Sequence, residues 1–167
     1  MNDIHCPSPD APARLQIPEL EYPVPVRMDE ALGNHVNDLL LSWVRRVGIF
    51  EGQWDQVRAS NFGRFAMLCH PGTDNPDRLL LSAKCIAALF AVDDHYCDDE
   101  RSGANPRLLG PRLSLALAAL DRAHLNPPHD LALEQALKRD PVLRGLKGYM
   151  NHLSRFGTAS QMARVRL

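Results

Sequence analysis

The sequence predicts an all-α protein, and three of its features support that fold class. Apolar residues recur at spacings of three and four in several segments, which is the period of one helix face. An Asn-Pro pair and an Asp-Pro pair each precede such a segment, and this order of N-cap residue and proline is typical of a helix start. No segment combines alternating apolar and polar residues with β-branched enrichment, so no strands are expected.

Composition limits the class of protein and the kinds of partner. The 167 residues suffice for one domain with a buried core, and 45% apolar with 23% charged residues is typical of a globular protein. A net charge of -1 gives no general attraction to nucleic acid. The apolar run 79–92 is shorter than the roughly 20 residues that cross a bilayer, and no signal-peptide pattern opens the chain. We expect a cytoplasmic protein that binds neither nucleic acid nor membranes.

The chain divides into an arm, 1–27, and a helical domain, 28–167. The arm contains six of the thirteen prolines and few large apolar residues, which is typical of a flexible segment. The four cysteines form no CxxC pair, so buried or half-buried free thiols are expected, without a disulfide framework or zinc site.

The first three helices follow from apolar periodicity and from stop signals. Apolar positions from Val36 to Val47 predict a first helix that Gly48 ends. A second is expected over 53–69, before His70-Pro71-Gly72 breaks it. The third, about 76–98, begins at Asn75-Pro76 and contains a continuous apolar run that predicts a buried helix.

The later helices are expected at about 108–120, 130–138 and 141–156. Asp140-Pro141 caps the last of these, and Asn126-Pro127-Pro128 is interpreted as a turn. From Ala159 a further amphipathic pattern begins and has no stop signal before Leu167, so the chain looks cut off.

An acidic cluster follows the apolar run, with five carboxylates among the eight positions 93–100. The C-terminal end of a helix carries roughly half a negative charge, so acids there are destabilising unless a cation lies nearby. On a helix Asp94 and Asp98 face the same way and Asp93 lies about 100° to one side, so the three carboxylates can converge. Magnesium prefers such oxygens and combines one or two carboxylates with phosphate. The cluster predicts a magnesium and diphosphate site.

After Asp140 the sequence has no acid. Its cations either form a basic wall opposite the acidic cluster, suited to an anionic ligand, or cover solvated helix faces. They are Arg144, Lys147, Arg155, Arg164 and Arg166.

The segment Asp93-Asp94-His95-Tyr96-Cys97-Asp98, at the end of an apolar helix, resembles the aspartate-rich motif of bacterial class I terpene synthases. The resemblance covers about 20–167 and is closest to the 2-methylisoborneol synthase group. The supporting segments are Asp29-Glu30-Ala31-Leu32-Gly33, Val47-Gly48-Ile49-Phe50, Asn61-Phe62-Gly63-Arg64, His70-Pro71-Gly72-Thr73-Asp74-Asn75-Pro76-Asp77 and Ala91-Val92.

This resemblance implies a helical bundle whose cavity holds an allylic diphosphate, ionised with the help of Mg²⁺ to a carbocation that then cyclises. It implies a carbon–oxygen lyase that converts 2-methylgeranyl diphosphate into 2-methylisoborneol or a related homomonoterpene. By position, Asp93, Asp94 and Asp98 match the metal motif, with Asp93 the foremost direct ligand. Aromatic faces stabilise cations, so the pocket candidates are Phe90, Phe65 and Phe62, with plain core packing as the alternative.

The chain also departs from the family pattern. It lacks the family's second metal motif of the Asn/Asp-Ser/Thr-Glu type, the later arginine that senses diphosphate, and the closing Arg-Tyr pair. We therefore expect the N-terminal half of a bundle, with exposed apolar faces, as an inactive fragment. The alternative is a non-catalytic remnant or a small helical binding module. The resemblance adds two expectations about partners, a homodimer and attachment to an encapsulin-type shell through the N-terminal arm.

Overall fold

Helices account for all regular secondary structure in the described part of the chain, which confirms the predicted all-α class. The computed structural model describes residues 18–19, 21, 23, 26–101, 103–121 and 125–165. Its α-helices are α1 Glu30–Val47, α2 Trp54–Ser60, α3 Phe62–Cys69, α4 Pro76–Val92, α5 Pro106–Leu120, α6 Pro127–Arg139, α7 Pro141–Leu153 and α8 Ala159–Val165. A π-helical turn, Asp93–Cys97, continues α4.

Side-chain caps set most of the helix starts, as the sequence patterns indicate. Asp29 accepts a 2.9 Å hydrogen bond from the Leu32 N–H at the start of α1, and α1 ends at Gly48, whose φ of 84° is left-handed. Asn75 caps α4 in the same way, since it accepts 2.9 Å from the Asp77 N–H. Asn126 caps α6, so this helix begins at Pro127 inside the expected turn. These caps satisfy N–H groups that lack a partner within the helix.

The single helix expected over 53–69 is wrong, because the chain breaks at Asn61. Asn61 has a left-handed φ of 47°, which ends α2, and its side chain then accepts a hydrogen bond from the Arg64 N–H to begin α3. The break lets α3 cross α1 closely at Gly63, where any Cβ would collide with the backbone of Asn37. Asn37 Oδ1 accepts from the Gly63 N–H at 3.3 Å, so the crossing is hydrogen-bonded as well as tight.

Helix α4 lies in the middle of the domain, in contact with α1, α3 and α7. Its fully buried stripe at four-residue spacing begins with Leu79 and continues with the small residues Ala83, Ala87 and Ala91, which allow neighbouring helices to approach closely. The expectation that the whole apolar run is buried is wrong at its C-terminal end. There Leu89 and Phe90 are exposed, and Phe90 keeps 50% of its surface accessible.

Arg27 fastens the start of the domain to the loop between α3 and α4. Its guanidinium donates to the carbonyls of Pro71 and Thr73, the latter at 3.0 Å, and contacts the carboxylates of Asp29 and Asp74. Most of the predicted arm, 1–27, lies outside the described residues, and its flexibility stays a prediction.

Two further sequence expectations concern thiols and membranes. Cys69 and Cys97 are free thiols on the surface and Cys85 is a half-buried one, so burial of the first two is wrong; Cys6 lies outside the described residues. Among the helices that the structure describes, none has the length and apolarity to cross a membrane.

Candidate active site

The acidic residues lie on the π-helical turn at the end of α4. The turn is closed by the Asp98 N–H, which donates to the Asp93 carbonyl at 2.9 Å, five residues back. Such single π turns inside α-helices are frequent at functional sites. The side chains of Asp93, Asp94 and Asp98 are exposed. Tyr96, between them, is only 3% exposed and points into the domain.

The expected convergence of three carboxylates is not observed. No group of three or more His, Cys, Asp or Glu side chains in the described ranges is placed to hold a metal ion. Magnesium keeps several waters and is commonly bound by one or two carboxylates together with substrate phosphate. The oxygens of this turn therefore fit Mg²⁺ by their chemistry without a complete protein cage. Their assignment as metal ligands stays a prediction.

A cavity of about 310 Å³ opens beside the turn and joins an acid to aromatic rings. The rings of Phe62 and Phe90 lie 5.5 Å apart between centroids, which is within the range of favourable aromatic contact. The lining residues come from the segment after α1, from α2, from α3 and from the end of α4: Phe50, Gln53, Gln56, Val57, Ser60, Phe62, Phe90 and Asp94. The cavity thus combines a carboxylate with three aromatic rings, those of Phe50, Phe62 and Phe90.

The structure brings together three of the six sequence candidates. Asp94, Phe62 and Phe90 share the cavity. Phe65 is 52% exposed and does not line it, and neither do Asp93 and Asp98. Core packing, the alternative for the phenylalanines, does not describe Phe65 or Phe90, since both rings are exposed. Asp94, and not Asp93, is the acid on the cavity wall.

Of the two alternatives for the cations after Asp140, the basic wall is not favoured by the three whose contacts are described. Arg144 donates to the carbonyls of Val47, Leu137 and Lys138, where it satisfies the C-terminal ends of α1 and α6. Lys147 lies 3.6 Å from Glu134, and Arg155 lies 3.3 Å from Asp77. Arg164 is exposed on α8, and Arg166 lies outside the described residues.

A hydrogen bond between Tyr96 and Asp140 connects the acidic turn to α7, and the sequence analysis missed it. The Tyr96 hydroxyl donates to Asp140 Oδ2 at 2.6 Å. Burial together with this carboxylate raises the pKa of Tyr96 far above its usual range. The sequence marks Asp140 only as a helix cap, and a separation of 44 residues leaves no periodic signal for the pair.

A second polar group unforeseen in the sequence is buried between α4 and α7. Lys84 is 8% exposed, its Nζ lies 3.0 Å from His152 Nδ1, and it sits 5.4 Å from the centre of the Trp43 ring. His152 Nε2 lies 3.0 Å from Asp77 Oδ1 without the alignment of a hydrogen bond. Burial, assisted by Arg46, lowers the pKa of Lys84 to about 8, and burial also lowers the pKa of His152.

Curated relatives with similar sequences are 2-methylisoborneol synthases. The chain is 32% identical over 165 residues to that of Saccharopolyspora erythraea, an alignment that covers 96% of this chain and 46% of the relative. It is 34% identical over 152 residues to that of Streptomyces lasalocidi, which covers 90% of this chain and 30% of the relative. The chain thus spans less than half the length of these curated relatives. No family model matches the chain.

Solved structures of the same enzyme share the fold. The crystal structure of 2-methylisoborneol synthase from Streptomyces coelicolor A3(2), in complex with Mg²⁺ and 2-fluoroneryl diphosphate, superimposes with a TM-score of 0.76 at 31% identity. The superposition covers 87% of this chain and 45% of that structure. A second structure of the enzyme, with Mg²⁺ and geranyl-S-thiolodiphosphate, gives a TM-score of 0.72 at 30% identity.

Proposed function

Because this chain matches the N-terminal half of bacterial class I terpene synthases of the 2-methylisoborneol synthase type, we propose that it forms the aspartate-rich half of a magnesium-dependent terpene cyclase. The reaction is cleavage of the carbon–oxygen bond of an allylic diphosphate, followed by cyclisation of the carbocation. One observation carries the proposal: the acid-bearing turn borders a cavity that Asp94 shares with the aromatic rings of Phe50, Phe62 and Phe90.

The residues of the turn and of the cavity divide the chemistry between them. Asp94, with Asp93 and Asp98 on the same turn, would hold Mg²⁺, which supplies positive charge that stabilises the departing diphosphate. The faces of Phe62 and Phe90 are suited to stabilise a carbocation by cation–π attraction. In a closed cavity, the apolar part of the wall would exclude the water that otherwise quenches the cation.

For the substrate we propose 2-methylgeranyl diphosphate, with 2-methylisoborneol or a related homomonoterpene as product. The names of the curated relatives support this choice. The Streptomyces coelicolor enzyme binds diphosphate analogues of similar chemistry, 2-fluoroneryl diphosphate and geranyl-S-thiolodiphosphate. Phe62 and Phe90 provide the matching apolar surface in this chain.

We further propose that the isolated chain binds the cation and does not turn substrate over. In the described residues a single acid lines the aromatic cavity, and Phe90 in its wall keeps 50% of its surface accessible. A cavity in this state cannot exclude water from a carbocation. A homodimer, and attachment to an encapsulin-type shell through the arm, stay predictions of the resemblance.

The test measures turnover. The chain, its Asp94→Asn variant and a mixture with the C-terminal half of a 2-methylisoborneol synthase are incubated with Mg²⁺ and 2-methylgeranyl diphosphate, and volatile products and released diphosphate are measured. We expect no product from the chain alone, and product from the mixture that the Asp94→Asn substitution reduces at least tenfold. Product from the chain alone would contradict the proposed need for further residues.

The second candidate is a non-catalytic helical binding module. The exposed apolar side chains of α5 and α6 favour it, namely Leu108, Leu113, Leu117 and Leu131. Cation binding separates the two candidates. A binding module has no use for a divalent cation at the acidic turn, so binding that Asp93→Asn and Asp94→Asn leave unchanged would favour the module.

A further inference from the structure

We infer that Asp140 positions the acidic turn for cation binding, and that it does so through its hydrogen bond with the Tyr96 hydroxyl. The inference rests on the proposed function, because it concerns how the same turn is held. Asp140 lies at the start of α7 and is far from the acidic cluster in the sequence. It therefore adds a residue to the site that belongs to neither the acidic motif nor the cavity.

Tyr96 is the inward-facing residue of the turn. It is 3% exposed, whereas its neighbours His95 and Cys97 are both exposed. The ring lies 5.6 Å from the guanidinium of Arg112, which α5 contributes. The rotation of the turn about its axis, and with it the direction of the three exposed acids, follows from where this one ring is fixed.

Asp140 holds the Tyr96 hydroxyl with one carboxylate oxygen and caps α7 with the other. Oδ2 accepts from the Tyr96 hydroxyl at 2.6 Å, and Oδ1 accepts from the Val142 N–H at 2.8 Å, which caps α7. Hydrogen bonds to a charged acceptor are shorter and about twice as strong as neutral ones. One side chain thus ties the acidic turn to the first residues of α7, a helix that packs on both α4 and α5.

The affinity for a bound cation depends on the directions in which the carboxylates of the turn point. Residues that hold metal ligands in place typically change metal affinity by about 10–100-fold when they are removed. The turn is π-helical and is closed by the bond from the Asp98 N–H to the Asp93 carbonyl. Without the Tyr96 anchor, this turn can relax to the regular α-helical register, in which the carboxylates rotate relative to the cavity.

The experiment measures Mn²⁺ binding, with Mn²⁺ as the probe for Mg²⁺, by the loss of the free-ion electron paramagnetic resonance signal. Tyr96→Phe removes only the hydroxyl, and Asp140→Asn keeps a good N-cap residue while it removes the charge. The matched control is Tyr149→Phe, which removes a buried hydroxyl from α7 that interacts with Cys85. We expect about tenfold weaker binding for both Tyr96→Phe and Asp140→Asn, no change for Tyr149→Phe, and no additive loss in the Tyr96→Phe/Asp140→Asn double variant.

Thermal unfolding of each variant shows whether the effect is one of stability. A purely structural role lowers the melting temperature of Tyr96→Phe and Tyr149→Phe alike and leaves the Mn²⁺ affinity of both unchanged. Mn²⁺ affinities of Tyr96→Phe and Tyr149→Phe within twofold of each other would overturn the inference.

A second measurement needs no metal and separates this inference from the proposed function. Amide exchange and chemical shifts of residues 93–98 report the π turn directly. We expect faster exchange at Asp98 in Tyr96→Phe and unchanged exchange in Tyr149→Phe. If the wild-type chain binds no Mn²⁺, or binds it independently of Asp94, the proposed site fails. The anchor then stands if Tyr96→Phe alters these amides and falls if it does not.

Discussion

The two ends of α4 differ in whether their charged side chains have partners. In its first half, Asp77 lies 3.0 Å from His152 and 3.3 Å from Arg155, so its charge is compensated, and the Lys84 ammonium lies 3.0 Å from the other ring nitrogen of His152. At its far end, Asp93 and Asp94 are exposed, and neither has an ion pair in the described part of the chain. Compensated charges hold the helices together, whereas uncompensated ones are available to a ligand.

The helix dipole makes this contrast sharper. Acids near a helix C-terminus are unfavourable by about 0.3–1 kcal/mol each, and the acidic turn adds several of them in succession. Asp77 lies in the first turn of α4, where the same dipole favours a carboxylate. The acid in the first turn of α4 therefore stabilises the helix, whereas the acids at its C-terminal end do not. The C-terminal acids are the ones beside the cavity.

The largest expected effect comes from breaking the compensated end. His152→Ala removes the acceptor 3.0 Å from the Lys84 ammonium and leaves a cavity, so we expect a loss of about 3 kcal/mol in the free energy of unfolding. Urea denaturation measures it. The control is the double variant Lys84→Met/His152→Leu, which replaces the pair with apolar side chains and is expected to recover most of the loss. A double variant as unstable as the single one would contradict this explanation.

A smaller effect is expected from pH at the same end. The pKa of Lys84 is about 8 in the folded protein against 10.5 for an ordinary lysine. Between these values the unfolded chain binds more protons than the folded one, so stability rises with pH. Below pH 8 both states are protonated, and Lys84 then adds no pH dependence to the stability. At about pH 9.5 we expect wild type to gain roughly 2 kcal/mol relative to its value near neutrality.

The reference for this pH effect is Lys84→Met, which has no proton to lose there. Chemical denaturation of both proteins across the range isolates Lys84 from the tyrosines, whose raised pKa values act in the opposite direction at higher pH. Parallel pH profiles for the two proteins would show that Lys84 is not the source of the slope.

At the end of α4 that carries Asp93 and Asp94, we expect substitution to raise the free energy of unfolding. Asp93→Asn/Asp94→Asn removes two acids from the unfavourable end of a helix, so in cation-free buffer we expect a gain of about 1 kcal/mol in the free energy of unfolding. The same substitutions remove the stabilisation that Mg²⁺ gives to wild type. Asp55→Asn provides the matched control, since Asp55 lies in the first turn of α2 and its loss is expected to destabilise slightly. Equal signs for both variants would refute the dipole argument.

The smallest effect is expected at Phe65. Its ring is 52% exposed and outside the cavity, so Phe65→Ser should change the free energy of unfolding by about 0.5 kcal/mol or less and leave Mn²⁺ binding unchanged. Phe62→Ser, inside the cavity, is the comparison in the same denaturation and binding assays. A larger loss at Phe65 than at Phe62 would place the functional aromatic wall elsewhere.

Local patterns predicted most of the fold. Apolar spacing and the caps at Asn75 and Asp140 gave the correct helices, because both signals are contained within a few residues. The break at Asn61 was not predicted, because the left-handed backbone there accompanies a close crossing of α1 and α3 at Gly63, which is a tertiary contact. Periodicity alone cannot show which residues of different helices meet.

The candidate site was predictable in its chemistry and less so in its geometry. Residue type and resemblance named Asp94, Phe62 and Phe90 as candidates, and these three line one cavity; their roles stay predictions. The partner of Tyr96 was not identified, because Asp140 belongs to another helix. Burial of Lys84 was missed for the same reason, since His152 lies 68 residues further along the chain.

The contacts of Arg27 with the carbonyls of Pro71 and Thr73 lie at the opposite end of α4 from the cavity. Those carbonyls precede the first residue of α4, and the cavity lies at its last turn. A helix of 17 residues is about 25 Å long. Arg27 is therefore held about one helix length from the cavity, and its contacts with Pro71 and Thr73 stabilise the end of the domain that takes no part in the site.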